Sequence, residues 1–293
     1  MSSLYQAGSA IPPFRGKLRL VNLLAKVGSR FGGGRSSFPV TNGVRFEVDL
    51  HDRIQRQMWA GCYEPHVRRC LSALLREGDV FLDVGAHIGF FTGVAAARVG
   101  PQGKVFAFEA DPSNYAKLAH NVSRLPWVKA LNNAIWKESG RIVFERSSHQ
   151  GELGWGTVTA VRDLGQGEHI TVDAVSLDDW SVRFPVDQVR AIKIDAEGSE
   201  VAILAGSRKM IEKYRPLMIV EANDVVLRQA GTSSAELATQ LTQTGYALHD
   251  LSWMKLDRLV QGEAPRASEM LCIPIEKIDA TLITLKGAGF KLR

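Results

Sequence analysis

Val80-Phe81-Leu82-Asp83-Val84-Gly85-Ala86-His87-Ile88-Gly89 is an apolar run that passes an acid and enters a turn with two glycines. The run reads as a strand over Asp79–Asp83, and Ile88–Val99 reads as the helix that follows the turn. In open α/β sheets, ligands bind beyond the carboxyl ends of the strands, where strand order reverses. Gly85 is expected to let the backbone come close to a ligand, and Gly89 to let the helix pack tightly on its strand. The next strand, Lys104–Phe108, ends in Glu109, 26 residues after Asp83. A carboxylate there can accept both hydroxyls of a ribose.

Outward from this unit the chain alternates strands and helices. Pro112–Arg124 reads as a helix with proline in its first turn. Val128–Ala134, Val189–Asp195 and Leu217–Glu221 read as strands. One helix is expected from about Ser199 to Tyr214 and another over Ser233–Thr244. Tyr246–Leu251 and Met270–Ile275 supply the last strands. Upstream, Gly43–Leu50 alternates as a strand, and Ile54–Leu75 carries two short helices broken near Gly61 and Pro65. Residues 140–175 are glycine-rich short strands, read as an antiparallel insertion. The pattern predicts an α/β fold: a doubly wound, mostly parallel, seven-stranded Rossmann-like sheet with helices on both faces. Three regions follow: a basic arm with a Gly/Ser hinge at Phe31–Ser37 (1–40), lead-in strand and helices (41–78), and the main domain (79–293).

Composition narrows the class. The chain has 293 residues, 45% hydrophobic and 23% charged, long enough to fold without disulfides or structural metal. Its 3 cysteines, Cys62, Cys70 and Cys272, have no CxxC spacing, which excludes a zinc ribbon and a disulfide scaffold. A reducing, cytoplasmic setting is expected. Net charge is 36 − 31 = +5, too mild to imply nucleic acid. Six basic residues (Arg15, Lys17, Arg19, Lys26, Arg30, Arg35) and no acids fall in residues 1–40. This arm reads first as a solvated basic helix capping the domain; peripheral contact with an anionic membrane is the alternative. No segment has the ~18 apolar residues of a spanning helix, and none reads as a signal peptide.

Two ligands suit such a loop: a nicotinamide dinucleotide or S-adenosylmethionine. A dinucleotide wants a small second glycine where this chain has His87, and Asp83 repels a pyrophosphate. An acid there suits the ammonium end of S-adenosylmethionine. Four strings then become specific: Asp83-Val-Gly-Ala-His-Ile-Gly-Phe-Phe-Thr92, Phe108-Glu-Ala-Asp-Pro112, Leu177-Asp-Asp-Trp180 and Ile192-Lys-Ile-Asp-Ala-Glu-Gly-Ser-Glu200. Together with Asn42–Leu50 and Gly61-Cys-Tyr-Glu64 they resemble the FkbM family of S-adenosylmethionine-dependent methyltransferases, over roughly residues 40–250. His87 departs from the asparagine usual there. The resemblance implies a class I methyltransferase fold acting on a hydroxyl oxygen, with macrolides, sugars and polysaccharides among the acceptors.

Asp195, Glu197 and Glu221 fall at strand ends on the ligand edge. A hydroxyl must lose its proton as it attacks a sulfonium methyl, so a general base or a metal helps. Glu197, between strand and Gly198, is the first choice as base, with Asp195 and Glu221 beside it. A Mg²⁺ on these three acids is the alternative, oxygen ligands suiting it; the preferred reading has no metal. Glu64, Asp83, Gly85, His87, Gly89, Glu109 and Asn133 are the expected cofactor contacts. Asn132 and Asn133 are placed where adenine lies, Lys193 is read as an ion-pair partner, and His249 as a packing residue. Gly154-Trp155-Gly156-Thr157 reads as an aromatic-tipped lid or a hairpin turn. The chain lacks the Asn-Pro-Pro-aromatic string of amine methylases after its fourth strand. The expected partner is a small-molecule or glycan acceptor. The rival functions are an NAD-linked oxidoreductase and a non-catalytic membrane- or nucleic-acid-binding module.

Overall fold

A computed structural model describes residues 35–40, 44–146, 156–158, 167–260 and 262–293. The arm before residue 35, and Gly154 and Trp155 of the expected lid, lie outside the described residues. Strands β1 (Arg35–Pro39) and β2 (Arg45–Asp49) form an antiparallel pair. The second half of the expected hinge, Arg35–Ser37, is therefore strand: its backbone is paired with Glu47–Asp49. Helices α1 (Arg53–Trp59) and α2 (Pro65–Leu74) follow, separated at Gly61 and Pro65 as expected. Then come β3 (Val80–Val84), α3 (Phe90–Val99), β4 (Lys104–Phe108), α4 (Pro112–Val122) and β5 (Val128–Leu131). The insertion holds β6 (Ala134–Ile135), β7 (Gly140–Arg146), β8 (Gly156–Val158) and β9 (Glu168–Val175). After α5 (Leu177–Arg183) come β10 (Ala191–Ile194), α6 (Glu200–Ala205), α7 (Arg208–Tyr214) and β11 (Leu217–Glu221). The chain ends with α8 (Asp224–Gln229), α9 (Ser234–Gln243), β12 (Tyr246–Ser252), β13 (Lys255–Arg258), β14 (Glu269–Pro274), α10 (Ile278–Gly287) and β15 (Lys291–Leu292).

The main sheet has the order β15-β13-β12-β14-β11-β10-β3-β4-β5. Seven of these strands are the expected ones; β14 runs antiparallel to β11 and β12, and β12 is antiparallel to β13 as well. The described residues add two short edge strands, β13 and β15, so the sheet is nine-stranded rather than seven-stranded. Strand order reverses between β3 and β10, which is where a ligand crevice forms. All five residues of β3 are buried, as a central parallel strand covered on both faces requires. Period-two alternation divides them. Phe81 faces a core shared with Phe46, Leu71 and Phe91, while Leu82 faces one shared with Phe106, Trp180 and Met218. The lead-in thus packs into the same core as one face of the sheet.

Two expected elements are divided and a third is shortened, each for a local reason. Val128–Ala134 splits because Asn132 turns away and donates to the carbonyls of Glu109 and Ala110 (2.8 and 3.2 Å). Ala134–Ile135 then joins β9 in a second, four-stranded sheet, so β6 is parallel within an otherwise antiparallel insertion. The helix expected over Ser199–Tyr214 is two helices. A β-carbon on Gly206 would stand 2.4 Å from the Trp136 carbonyl oxygen, and the Asp178 carboxylate caps the second helix through the amide of Met210. The helix expected from Ile88 begins at Phe90, after Gly89 takes the left-handed conformation (φ 96°). Elsewhere caps set the boundaries: Asp111 accepts from Ser113 and Asn114 ahead of α4, and Ser233 accepts from Glu236 ahead of α9.

Candidate active site

A cleft of about 790 Å³ opens at the carboxyl ends of β3, β4 and β10. Gly85, His87, Glu109 and Asn133 line it together with Asp195, Glu197 and Ser199. Phe108, Ala134, Ile135, Phe144 and Val158 add an apolar side, so the insertion sheet forms part of the wall. Among the described residues no Lys or Arg lines it, and its formal charges are all carboxylates. Such a cleft repels a pyrophosphate and favours a cationic ligand.

Glu109 holds the turn in shape. Its Oε2 accepts from the His87 amide at 2.7 Å and its Oε1 from the Asp111 amide at 2.9 Å. The Asn114 side chain makes a third hydrogen bond to the carboxylate, which has about four lone-pair sites. Burial raises the Glu109 carboxyl from 4.5 to about 7, against these amide bonds that lower it. Gly85 lines the cleft, and a β-carbon there would lie 1.8 Å from the Asp195 carbonyl oxygen, so its bareness also lets two loops of the chain meet. Gly89 does serve packing, but against Leu118 and Phe46, at 2.8 and 3.2 Å from an added β-carbon. Asn133 lines the cleft and donates weakly to the Asp173 carbonyl at 3.5 Å.

Beneath the cleft floor lies a buried acidic layer. Alternation places Asp83, Lys193 and Glu221 on the same sheet face, toward α2 and α3, with Asp83 opposite Lys193 in register. Lys193 is 3% exposed, and its Nζ lies 2.5 Å from Asp195 Oδ2 and 4.8 Å from the Phe91 ring centre. Burial alone would depress the Lys193 ammonium; Asp195, Glu64 and Asp83 outweigh it and hold it far above its ordinary value. Lys193 is thus a fixed counter-ion, as read from the sequence. Asp83 is 1% exposed, accepts from Thr92 Oγ1 at 2.6 Å, and is raised by burial against the opposing pull of Lys193.

Glu64 caps α2 with φ 35°, and its carboxyl is raised to about 7, mostly by burial, while the Tyr63 hydroxyl donates to it. Neither Glu64, Asp83, Gly89 nor Glu221 is part of the cleft wall; Tyr63, which the sequence reading passed over, is. Glu221 is raised well above the carboxylate range, first by burial and then by Asp195, Glu197 and Glu200. Glu200, in the first turn of α6, accepts from the Ala196 amide at 2.9 Å and is raised by burial to about 7. His249 is buried and held down to about 4, by burial and by Arg258, which fits a packing residue.

The structure brings Asp195, Glu197 and Glu221 together: one carboxylate oxygen of each lies within 4.8 Å of the others. Of the six described non-glycine residues with left-handed φ, three lie in this region, while Arg215, Trp253 and Met254 lie elsewhere. Glu64, His87 and Glu197 all have left-handed φ (35°, 52° and 51°) without being glycine. Such conformations cost ~1–3 kcal/mol each and cluster where side chains must be aimed. The sequence reading also missed His66, whose Nε2 meets Glu269 Oε2 at 2.9 Å and ties α2 to β14. Their separation of 203 positions left no local signal.

Comparison with known proteins gives a family model, described as the methyltransferase FkbM domain, matching residues 83–248. The hexuronic acid methyltransferase AglP of Haloferax volcanii is 28% identical over 184 residues, covering 61% of this chain and 72% of that protein. The 2-O-methyltransferase NoeI of Sinorhizobium fredii is 27% identical, covering 57% of this chain and 75% of that one. Among solved structures, the methyltransferase FkbM from Methylobacillus flagellatus aligns at 17% identity and a TM-score of 0.43. That alignment covers 75% of this chain and about half, 53%, of the other. No described helix is long and apolar enough to cross a membrane.

Proposed function

The chain belongs to the FkbM methyltransferase family, and on that premise we propose that it methylates a hydroxyl oxygen of a sugar or glycan acceptor. It is an S-adenosylmethionine-dependent methyltransferase; the acceptor class and the residue roles are the proposal. The observation that carries it is the cleft itself. Its wall carries the carboxylates Glu109, Asp195 and Glu197, and no described Lys or Arg lines it.

The residues present fit the donor. S-adenosylmethionine brings two positive charges and a ribose, and when bound it supplies an electrophilic methyl on sulfonium. Glu109, with acceptor capacity left beyond its bonds to His87, Asp111 and Asn114, is assigned to the ribose diol. The apolar side near Asn133, formed by Phe108, Ile135 and Phe144, is assigned to the adenine. The turn at Gly85 and His87, above buried Asp83, is assigned to the methionine end. Glu64 and Gly89 serve from behind: Glu64 by adding negative potential under the turn, Gly89 by seating the helix.

The acceptor oxygen needs a lone pair in line with the methyl and somewhere to send its proton. Glu197 is the residue assigned to that proton, because its loop is bent so that the carboxylate faces the cleft. Asp195, fixed by Lys193, and Glu221 set the charge around it. Lys193 cannot serve as base, because its acidic neighbours keep it protonated. The relatives named for a hexuronic acid and for 2-O-methylation support a sugar hydroxyl as acceptor.

The test is direct. The protein is incubated with methyl-deuterated S-adenosylmethionine and a panel of neutral sugars, uronic acids and oligosaccharides. Products are read by mass and the methyl position by NMR. An O-methyl sugar is the expected product. Transfer to nitrogen or carbon, or to a non-carbohydrate hydroxyl while every saccharide stays unmodified, overturns the proposal.

A further inference from the structure

We propose that Asp195, Glu197 and Glu221 form a binding site for one hard divalent cation. The proposal deepens the reading above by assigning a device to the acceptor end of the cleft, but its occupancy does not depend on that reading. Three carboxylates from the ends of β10 and β11 and the loop between converge, with ligand oxygens within 4.8 Å of one another. Two oxygens on one ion lie at most twice the ion–oxygen distance apart. That limit is about 4.6–5.2 Å for Ca²⁺ and about 4.0–4.2 Å for Mg²⁺. Three oxygens spread evenly around one ion lie about 1.7 times the ion–oxygen distance apart, about 4.0–4.5 Å for Ca²⁺. A cluster within 4.8 Å therefore takes a calcium-sized ion after a small contraction, and Mn²⁺ or Mg²⁺ after a larger one. A set made only of oxygen donors selects hard ions over zinc or copper.

Convergent acids are common without a metal, so a second observation is needed. Glu221 supplies it: its Oε2 is sealed from solvent and accepts no hydrogen bond, although its carboxylate is enclosed at the cluster. A buried acceptor left unmade is costly and calls for a partner. The neighbouring groups are spent. Lys193 is aligned on Asp195, Glu200 accepts from Ala196, and Asp83 accepts from Thr92. Among the described residues no Lys or Arg lines the cleft that Asp195 and Glu197 face. A cation at this point neutralises the cluster and offers open positions to acceptor oxygens, the arrangement by which bound metals orient and acidify hydroxyls.

The experiment needs neither methyl donor nor acceptor. Mn²⁺ is titrated into EDTA-stripped protein, and free ion is followed by electron paramagnetic resonance, with Ca²⁺ and Mg²⁺ as competitors. One saturable site per chain is expected. Glu221→Gln and Glu197→Gln should each weaken it by at least the ~10–100-fold that loss of outer partners costs a metal site. Circular dichroism checks that each variant folds. No saturable site in the wild type, or a site unchanged in both folded variants, overturns the proposal. Saturable binding lost in the variants upholds the site even if no saccharide is methylated, so the two readings fail separately.

Discussion

The carbonyl oxygen of Asp195 occupies the space where a β-carbon on residue 85 would stand, 1.8 Å away. The loop after β3 and the loop after β10 are pressed together at the switch point of the sheet. That contact seats Asp195 beside the glycine turn, so donor-side and acceptor-side residues share one cleft. The Asp195 amide donates to the Val84 carbonyl at 3.1 Å, and the amides of Gly85 and Ala86 donate to Phe108, which knits three strand ends into one frame.

Gly85→Ala should therefore break the frame. The substitution adds an atom inside the Asp195 carbonyl and forces a side chain onto φ 78°. Strain and overpacking together should cost at least ~3 kcal/mol. Urea denaturation measures it. A variant as stable as the wild type shows that the loops can separate freely.

Lys193→Met should leave Asp195, Glu64 and Asp83 buried without their cation. Loss of one partner from a buried pair costs ~3–5 kcal/mol. Lys193→Met combined with Asp195→Asn should recover part of the loss, because one uncompensated charge is then gone. Equal stabilities for the single and double variants contradict the counter-ion role.

Glu109→Ala should weaken S-adenosylmethionine binding by ~1.5–3 kcal/mol, about 10–150-fold, as the ribose loses a charged acceptor. Calorimetry reads the change. Because Glu109 stands at about 7, wild-type affinity should also rise as pH increases through that value and the carboxylate ionises. Glu109→Gln, which cannot ionise, should flatten this dependence. A slope that survives in Glu109→Gln assigns the titration to another group.

Glu197→Gln should lower turnover ~10²–10⁴-fold, with cofactor affinity little changed. The substitution keeps volume and reach but cannot take a proton. Steady-state rates with isotopically labelled donor, beside binding measured by calorimetry, separate the two effects. Undiminished turnover moves attention to His87, the histidine that lines the cleft.

Stability should depend on pH in an unusual direction. Glu64, Glu109 and Glu200 stand at about 7 in the fold against 4.5 when unfolded, so the native state holds more protons between these values. Stability from these groups is present below about 4.5 and is lost as pH rises to about 7. Asp224 and Glu276, held down to about 2, are largely ionised in both states across that window. His249, held down from 6.5 to about 4, opposes the trend as one group against three. The ligand-free protein should unfold at higher temperature near pH 5.5 than near pH 7.5. The opposite order refutes the raised carboxyls.

The sheet, its strand ends and the acids standing on them were legible in the sequence, because hydrophobic period and glycine punctuation are local signals. Asp79–Asp83 reads as an apolar strand from composition alone, against the observed Val80–Val84, and Glu109 and Glu221 read as strand-end acids from position alone. Lys193 could be read as an ion-pair partner because an apolar strand rarely keeps a lone cation. Direction along the sheet edge was legible too, since ligands gather at carboxyl ends. Only the fold could decide which of these residues reach the cleft. Asp83 and Glu221 stand on the same strand ends as residues that do, yet alternation turns them to the buried face. The filler of the space at Gly85 is a carbonyl from a residue 110 positions away. The pairing of His66 with Glu269, and the meeting of Asp195, Glu197 and Glu221 within 4.8 Å, likewise join distant segments. Such meetings depend on register and loop path, which are set by packing summed over the whole chain and leave no mark in any single stretch of it.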